Sequence, residues 1–221
     1  HLEGSKVLVQ VNAVDDLGIE RVVLSVDGLL DGSRSFSDNH APYEFLLDLP
    51  FGQANHDVTL TASVTEYRLT GEARTVSTLK PTILHIAKDL AAPEIQIVQP
   101  AQSDTVVVEK RQLAYHLDIT DNVAVTSASA LIFADRNQDG IFTENELVAQ
   151  QAMQSPPYHG QLNVDTISHY LGTDNDDDSI TQLAMRFVVR ASDGVGNASE
   201  VFVPLTLKRN APPQVTQLQL L

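Results

Sequence analysis

The sequence contains no cysteine and no tryptophan, and aromatic residues make up only 5% of its 221 positions. Without cysteine, a disulfide-stapled miniprotein, a thiolate metal site and a cysteine nucleophile are all excluded. Cationic side chains are scarce as well: 14 Lys and Arg face 29 Asp and Glu, a formal charge of −15. A nucleic-acid partner needs a basic surface that displaces phosphate counterions, so that class is excluded. Docking on anionic membranes is disfavoured for the same reason, and cations are the partners such a field attracts. No apolar run reaches the ~18 residues of a membrane-spanning helix, so no membrane insertion is expected. Catalytic signatures are missing too. None of the seven histidines pairs with another or with a carboxylate at a metal or protease spacing. No Gly-x-Ser-x-Gly, P-loop or dinucleotide fingerprint occurs. The expectation is a chain that is not an enzyme and has no catalytic residues.

What is present is β-structure. Hydrophobic residues make up 43%, enough for a packed core. The short runs VLVQVNA, ERVVLSVDG, YEFLLDL, HDVTLTASV, QLAYHLDI, SASALIF, LAMRFVVRA and VFVPLTLK alternate with a period of two. Clusters of Gly, Asp, Asn and Pro separate them, a pattern that predicts an all-β antiparallel sandwich. The pattern is also written twice. Val14-Asp15-Asp16-Leu17-Gly18-Ile19 corresponds to Thr120-Asp121-Asn122-Val123-Ala124-Val125. Ala41-Pro42-Tyr43 corresponds to Pro156-Pro157-Tyr158, and Val64-Thr65-Glu66 to Ala191-Ser192-Asp193. Ala91-Ala92-Pro93-Glu94-Ile95 corresponds to Ala211-Pro212-Pro213-Gln214-Val215.

These anchors predict three segments: a domain over 1–90 that lacks its first strand, a domain over 91–210, and the first strand of a following repeat over 211–221. The chain thus reads as a stretch of a longer polypeptide whose neighbouring repeats are its partners. Residues 215–221 form a spare strand in this reading. An unpaired sheet edge is adhesive, so pairing of that strand with the first copy of another chain predicts a strand-exchange homo-oligomer.

Several of these stretches resemble the bacterial immunoglobulin-like modules found in tandem in surface and secreted adhesins. The similarity lies in Ala13-Val14-Asp15-Asp16-Leu17-Gly18-Ile19 followed by Val23-Leu24-Ser25-Val26-Asp27-Gly28, in Ala41-Pro42-Tyr43-Glu44-Phe45, and in Ala191-Ser192-Asp193-Gly194-Val195-Gly196-Asn197. The first copy departs from that last hairpin with Thr65-Glu66-Tyr67-Arg68-Leu69-Thr70-Gly71. The resemblance implies two tandem immunoglobulin-like sandwiches and an extracellular or bacterial cell-surface location. Tyr43 and Tyr158 are expected half-buried, each hydroxyl reaching a polar group.

The second copy is longer than the first at two connections. One gain contains DRNQDGIFTENE, residues 135–146. Asp135, Asn137, Asp139, Gly140, Ile141, Thr143 and Glu146 fall at positions 1, 3, 5, 6, 7, 9 and 12 of the EF-hand calcium loop. Calcium takes six to eight hard oxygen ligands. Alternate side chains at 1, 3 and 5 supply the first of them, and Gly140 permits the turn. The Ile141 carbonyl, Thr143 and a bidentate Glu146 complete the set. The flanks read as strands, so the loop predicts a structural ion and not a helix-opening sensor. It resembles the calcium loops between strands in the B repeats of serine-aspartate-repeat adhesins.

The other gain contains Asp174, Asp176 and Asp178, a second candidate calcium set in which the ion would relieve carboxylate repulsion. A third grouping, Asp121 and Asn122 with Asp193 and Asn197, reads first as backbone capping of turns. The predicted function is a calcium-stabilised spacer supporting adhesion. The rival reading is a module that binds glycan or a host protein through the inserted loops. Tyr67, Tyr158 and Tyr170 would be its stacking residues.

Overall fold

The computed structural model describes residues 1–68, 70–78, 80–101, 105–108, 112–164, 171 and 182–209. The chain divides into two compact units, His1–Ala91 and Ala92–Leu221. No helix among the described residues is long and apolar enough to cross a membrane.

The first unit contains β1 (Lys6–Val11), β2 (Ile19–Asp27), β3 (Arg34–Asp38), β4 (Tyr43–Asp48), β5 (Val58–Glu66), β6 (Thr75–Ser77) and β7 (Thr82–Leu84). Alternate residues of a strand point to opposite faces, and the sequence exploits this directly. In β4, Tyr43, Phe45 and Leu47 are buried while Glu44, Leu46 and Asp48 are exposed. β1 pairs antiparallel with β4. The facing sheet runs β3-β2-β5-β6, with β7 also on β5. Val7 from β1 and Phe45 and Leu47 from β4 meet Val22, Leu24, Val26, Val58 and Leu84 in one core. Each such side chain contributes about 1.5–3 kcal/mol when fully removed from water.

The second unit contains β8 (Glu94–Gln99), β9 (Thr105–Val108), β10 (Gln112–Thr120), β11 (Val125–Ala134), a 3-10 turn (Glu144–Glu146), β12 (Leu147–Met153), β13 (Tyr158–Asn163), β14 (Gln182–Asp193) and β15 (Ala198–Lys208). One sheet runs β13-β10-β8 and the other β12-β11-β14-β15-β9. Every pairing is antiparallel except β9, which runs parallel to β15. Phe187 of β14 is fully buried between the sheets, its ring 5.8 Å from that of Tyr115 in β10.

Two sequence expectations need correction. Tyr43 and Tyr158 are buried, at 7% and 5% exposure, because their strands place them on the inner face beneath the opposite sheet. β11 does not alternate at its end: every residue from Ala130 to Ala134 is buried. An antiparallel strand reads as continuously buried only when both of its faces are covered, and the cover on the outer face is described below. In the first unit, β5 and β6 are joined by a wide connection, with Glu66 N–H donating to the Arg74 carbonyl at its neck. There the Glu66 carboxylate meets Arg68 at 2.5 Å and Arg74 at 3.2 Å.

The hydrogen bond from Arg74 is the main cause holding Glu66 below its ordinary carboxylate range. A depressed folded pKa gives stability that is present above the ordinary value and is lost as pH falls through the lowered one. Arg74→Ala therefore raises the Glu66 pKa toward 4.5, which a side-chain NMR titration reads directly. A Glu66 titration unchanged by the substitution would remove Arg74 as the cause.

Candidate metal centre

The loop from 135 to 146 leaves the sheet at the end of β11. Asp135 N–H donates to the Ala184 carbonyl at 3.0 Å, so the first loop residue is still tied to β14. The loop then closes on its own carboxylates. Asp135 Oδ1 accepts from Asp139 N–H at 3.1 Å, and Oδ2 from Gly140 N–H at 2.9 Å. Asn137 Oδ1 accepts from Asp139 N–H at 3.2 Å, and its amide donates to Asp139 Oδ2 at 2.9 Å. Asp139 Oδ1 accepts from Ile141 N–H at 2.7 Å. Two consecutive turns require left-handed backbone at Gln138 (φ 59°) and Gly140 (φ 77°), and glycine takes the second without a Cβ penalty. The Ile141 side chain is 63% exposed, which suits a position that would contribute only its carbonyl.

Glu146 ends the 3-10 turn and reaches back over the loop. Its Oε1 accepts from Arg136 N–H at 3.1 Å, and its Oε2 from Thr143 N–H at 3.0 Å and Thr143 Oγ1 at 3.2 Å. Asp135 and Glu146 are each only 5% exposed. Neither is ion-paired with a described residue. Burying a carboxylate is costly unless charge of the opposite sign compensates it. The loop carries carboxylate, amide, hydroxyl and carbonyl oxygens, the donor chemistry of a hard divalent cation. Among the described residues, no three His, Asp or Glu side chains already stand as a metal-holding group.

The loop also covers the outer face of the sheet. Leu131, Phe133 and Val188 form a small second core there, and Phe142 and Leu147 pack against it. This cover is why β11 is buried on both faces. Two arginines of β14 brace it. The Arg186 guanidinium lies 4.3 Å from the Phe142 ring centre and 4.5 Å from that of Phe202. Arg190 donates to Glu144 at 2.8 Å and to Glu200 at 2.6 Å. Those two hydrogen bonds, Glu144 first, push its pKa above the ordinary value. Sequence reasoning missed Phe142, Arg186 and Arg190. The break in alternation at Leu131 and Phe133 was the available signal. Phe142→Ala should lower stability by about 1–2 kcal/mol through lost apolar cover and cation–π contact. Chemical denaturation monitored on the second unit measures this, and no change would mean the loop does not seal that face.

The remaining candidates divide clearly. Asp121 Oδ1 accepts from the N–H groups of Val123 and Ala124. Asp193 Oδ1 accepts from those of Val195, Gly196 and Asn197, and the Asn197 amide donates to its Oδ2. These groups cap turns, as Asp15 does for Leu17 and Gly18 in the first unit. Asp174, Asp176, Asp178 and Tyr170 lie outside the described residues. Of the other two stacking candidates, Tyr67 is 50% exposed, whereas Tyr158 is buried in the core and offers no platform.

Two sheets closed face to face over one core in each unit, antiparallel apart from β9, define immunoglobulin-like β-sandwiches. Residues 1–62 match the sequence model of the family described as a bacterial Ig domain. No curated protein matches the sequence. Among solved structures, a Ca2+-stabilised adhesin with which an Antarctic bacterium binds ice is 14% identical, with a TM-score of 0.31. That comparison covers 94% of this chain and 45% of the adhesin chain, so the chain spans less than half its length. A chimeric titin Z1Z2 tandem is 18% identical over 95% of this chain and 93% of its own, with a TM-score of 0.29. Protocadherin gammaB7 EC3-6 is 12% identical over 94% and 52%, with a TM-score of 0.31. Values this low carry over no ligand or partner.

Proposed function

We propose that the chain is a calcium-stabilised spacer of immunoglobulin-like modules from a bacterial cell-surface or secreted protein, one that supports adhesion. Its modules are copies of one another over 1–90 and 91–210, with 211–221 opening a further copy, and neighbouring repeats are its partners. The observation that carries the calcium reading is the pair Asp135 and Glu146, both buried and neither ion-paired with a described residue, at the two ends of a twelve-residue oxygen-rich loop.

Asp135, Asn137, Asp139, Ile141, Thr143 and Glu146 would hold the ion. Bound calcium supplies positive charge and fixes the loop's ends to each other; it takes no part in any reaction. The chain's own residues then transmit that rigidity. Asp135 is tied to β14, Glu146 leads directly into β12, and Phe142 seals the outer face between them. A clamp of this kind suits a spacer, which must keep its shape under load and resist local opening.

Calorimetric titration of calcium into chelator-stripped protein tests the reading. Heat of binding is expected for the wild type, and the heat assigned to this loop is lost in Asp135→Ala and Glu146→Gln. Absence of heat in the wild type, or heat indifferent to both substitutions, overturns the assignment.

A further inference from the structure

The outer face of the three-stranded sheet in the second unit brings together two histidines that lie far apart in the sequence. In the antiparallel pairing of β10 with β13, His116 stands directly opposite His159. Tyr115 and Leu117, on either side of His116, are buried, and so is Tyr158 beside His159. Alternation therefore turns both histidines outward, and both are exposed. Asp118 follows two residues after His116, so it shares that face, and it too is exposed.

Facing residues on adjacent antiparallel strands hold their Cβ atoms about 4.5–5.5 Å apart. Two imidazoles rooted that close can turn a ring nitrogen each toward one point. A metal ion bound at about 2.0–2.1 Å by both needs those nitrogens only about 3 Å apart. The carboxylate is also within range. His116 Nε2 lies 3.9 Å from Asp118 Oδ1, too far for a hydrogen bond. That distance is still inside the ~4.2 Å that two metal–ligand bonds span. The three side chains do not yet converge on a common point. With His116 56% and Asp118 62% exposed, moving them between staggered conformers breaks no core packing.

We propose that His116, His159 and Asp118 form a binding site for a late first-row divalent metal ion, zinc by preference. Two imidazole nitrogens and one carboxylate oxygen match the donors that such ions favour, and water fills the fourth position of a tetrahedron. Calcium prefers a shell of oxygens alone, so the site differs in chemistry as well as in place from the loop at 135–146. The chain's charge of −15 raises the local concentration of any cation. A bound ion would cross from β10 to β13, the outermost described strand of its sheet, and hold that edge against local opening.

Zinc titration of the full chain in excess calcium, followed by NMR of the imidazole nitrogens, tests the site. The ring signals of His116 and His159 should shift together and saturate with one zinc ion. His116→Gln or His159→Gln should each weaken that event at least about tenfold, because the two rings bind as one chelate. The remaining ring should then stay unmoved over the same zinc range. Asp118→Asn should weaken the event less, with both rings still responding. All three positions are exposed, so the variants should keep the wild-type far-UV circular dichroism. His85, 2.7 Å from Asp57, is the reference for zinc binding by an ordinary surface histidine. Rings of His116 and His159 that respond no more strongly than His85 overturn the proposal. So does a zinc event that survives either glutamine substitution.

Discussion

Removing calcium is expected to lower the melting temperature of the second unit by roughly 10 °C in the wild type, and Glu146→Gln is expected to cancel that response. Ligand that binds only the folded state stabilises it by about 2.7 kcal/mol at a hundred times its dissociation constant. For a domain of this size each kcal/mol moves the midpoint by a few degrees, roughly 3–5 °C. The more discriminating part of the result is a crossover. With chelator present, wild-type Glu146 is a buried carboxylate with no cationic partner among the described residues. A glutamine there removes the uncompensated charge while one oxygen still accepts from the Thr143 or Arg136 amide. Glu146→Gln should therefore melt at or above wild type without calcium and clearly below it with calcium. Scanning calorimetry of the two proteins under both conditions decides the matter. If Glu146→Gln gains as much from calcium as the wild type does, Glu146 is not a ligand.

Phe187→Ala destabilises the second unit by about 3–5 kcal/mol, the range for removing a buried aromatic from a packed core. Phe187 is 0% exposed, and its ring faces Tyr115 across the sandwich. Tyr115 is itself 2% exposed and its hydroxyl has no hydrogen-bond partner among the described residues, so collapse of that polar group into the new cavity recovers little. The first unit has its own core, built from Val22, Leu24, Val26, Phe45 and Leu47, and shares no core residue with the second. Calorimetry should show one transition displaced downward and one unmoved. Displacement of both by the same amount would mean that the two cores melt as one cooperative body.

These two predictions draw on different kinds of information. Phe187 announces itself in the run LAMRFVVRA, where alternation marks Met185, Phe187 and Val189 as one face. The same rule found Tyr43, Phe45 and Leu47, because a period of two is a local property of the strand. The candidate calcium loop was legible for a related reason. Its oxygen donors lie within twelve consecutive residues, and their spacing alone fixes which side chains turn inward. The turn-capping roles of Asp15, Asp121 and Asp193 are equally local, each spanning two to four residues.

What the alternation leaves open is what lies on the far side of a sheet. The cover over Leu131 and Phe133 comes from Phe142 and Leu147 and is braced by Arg186 and Arg190 of a different strand. Arg190 and Glu144 are 46 residues apart, a distance at which sequence pattern carries no pairing signal. The depth of Tyr43 and Tyr158 belongs to the same class. A strand's own sequence states which residues face inward, and only the packed sheets decide how much covers them. Strand pattern and the spacing of the loop's oxygen-bearing side chains were determined by the sequence itself, since each is set within a few residues. The sealed outer face and the braced loop were decided by tertiary structure, because each depends on segments that meet only once the sheets have closed.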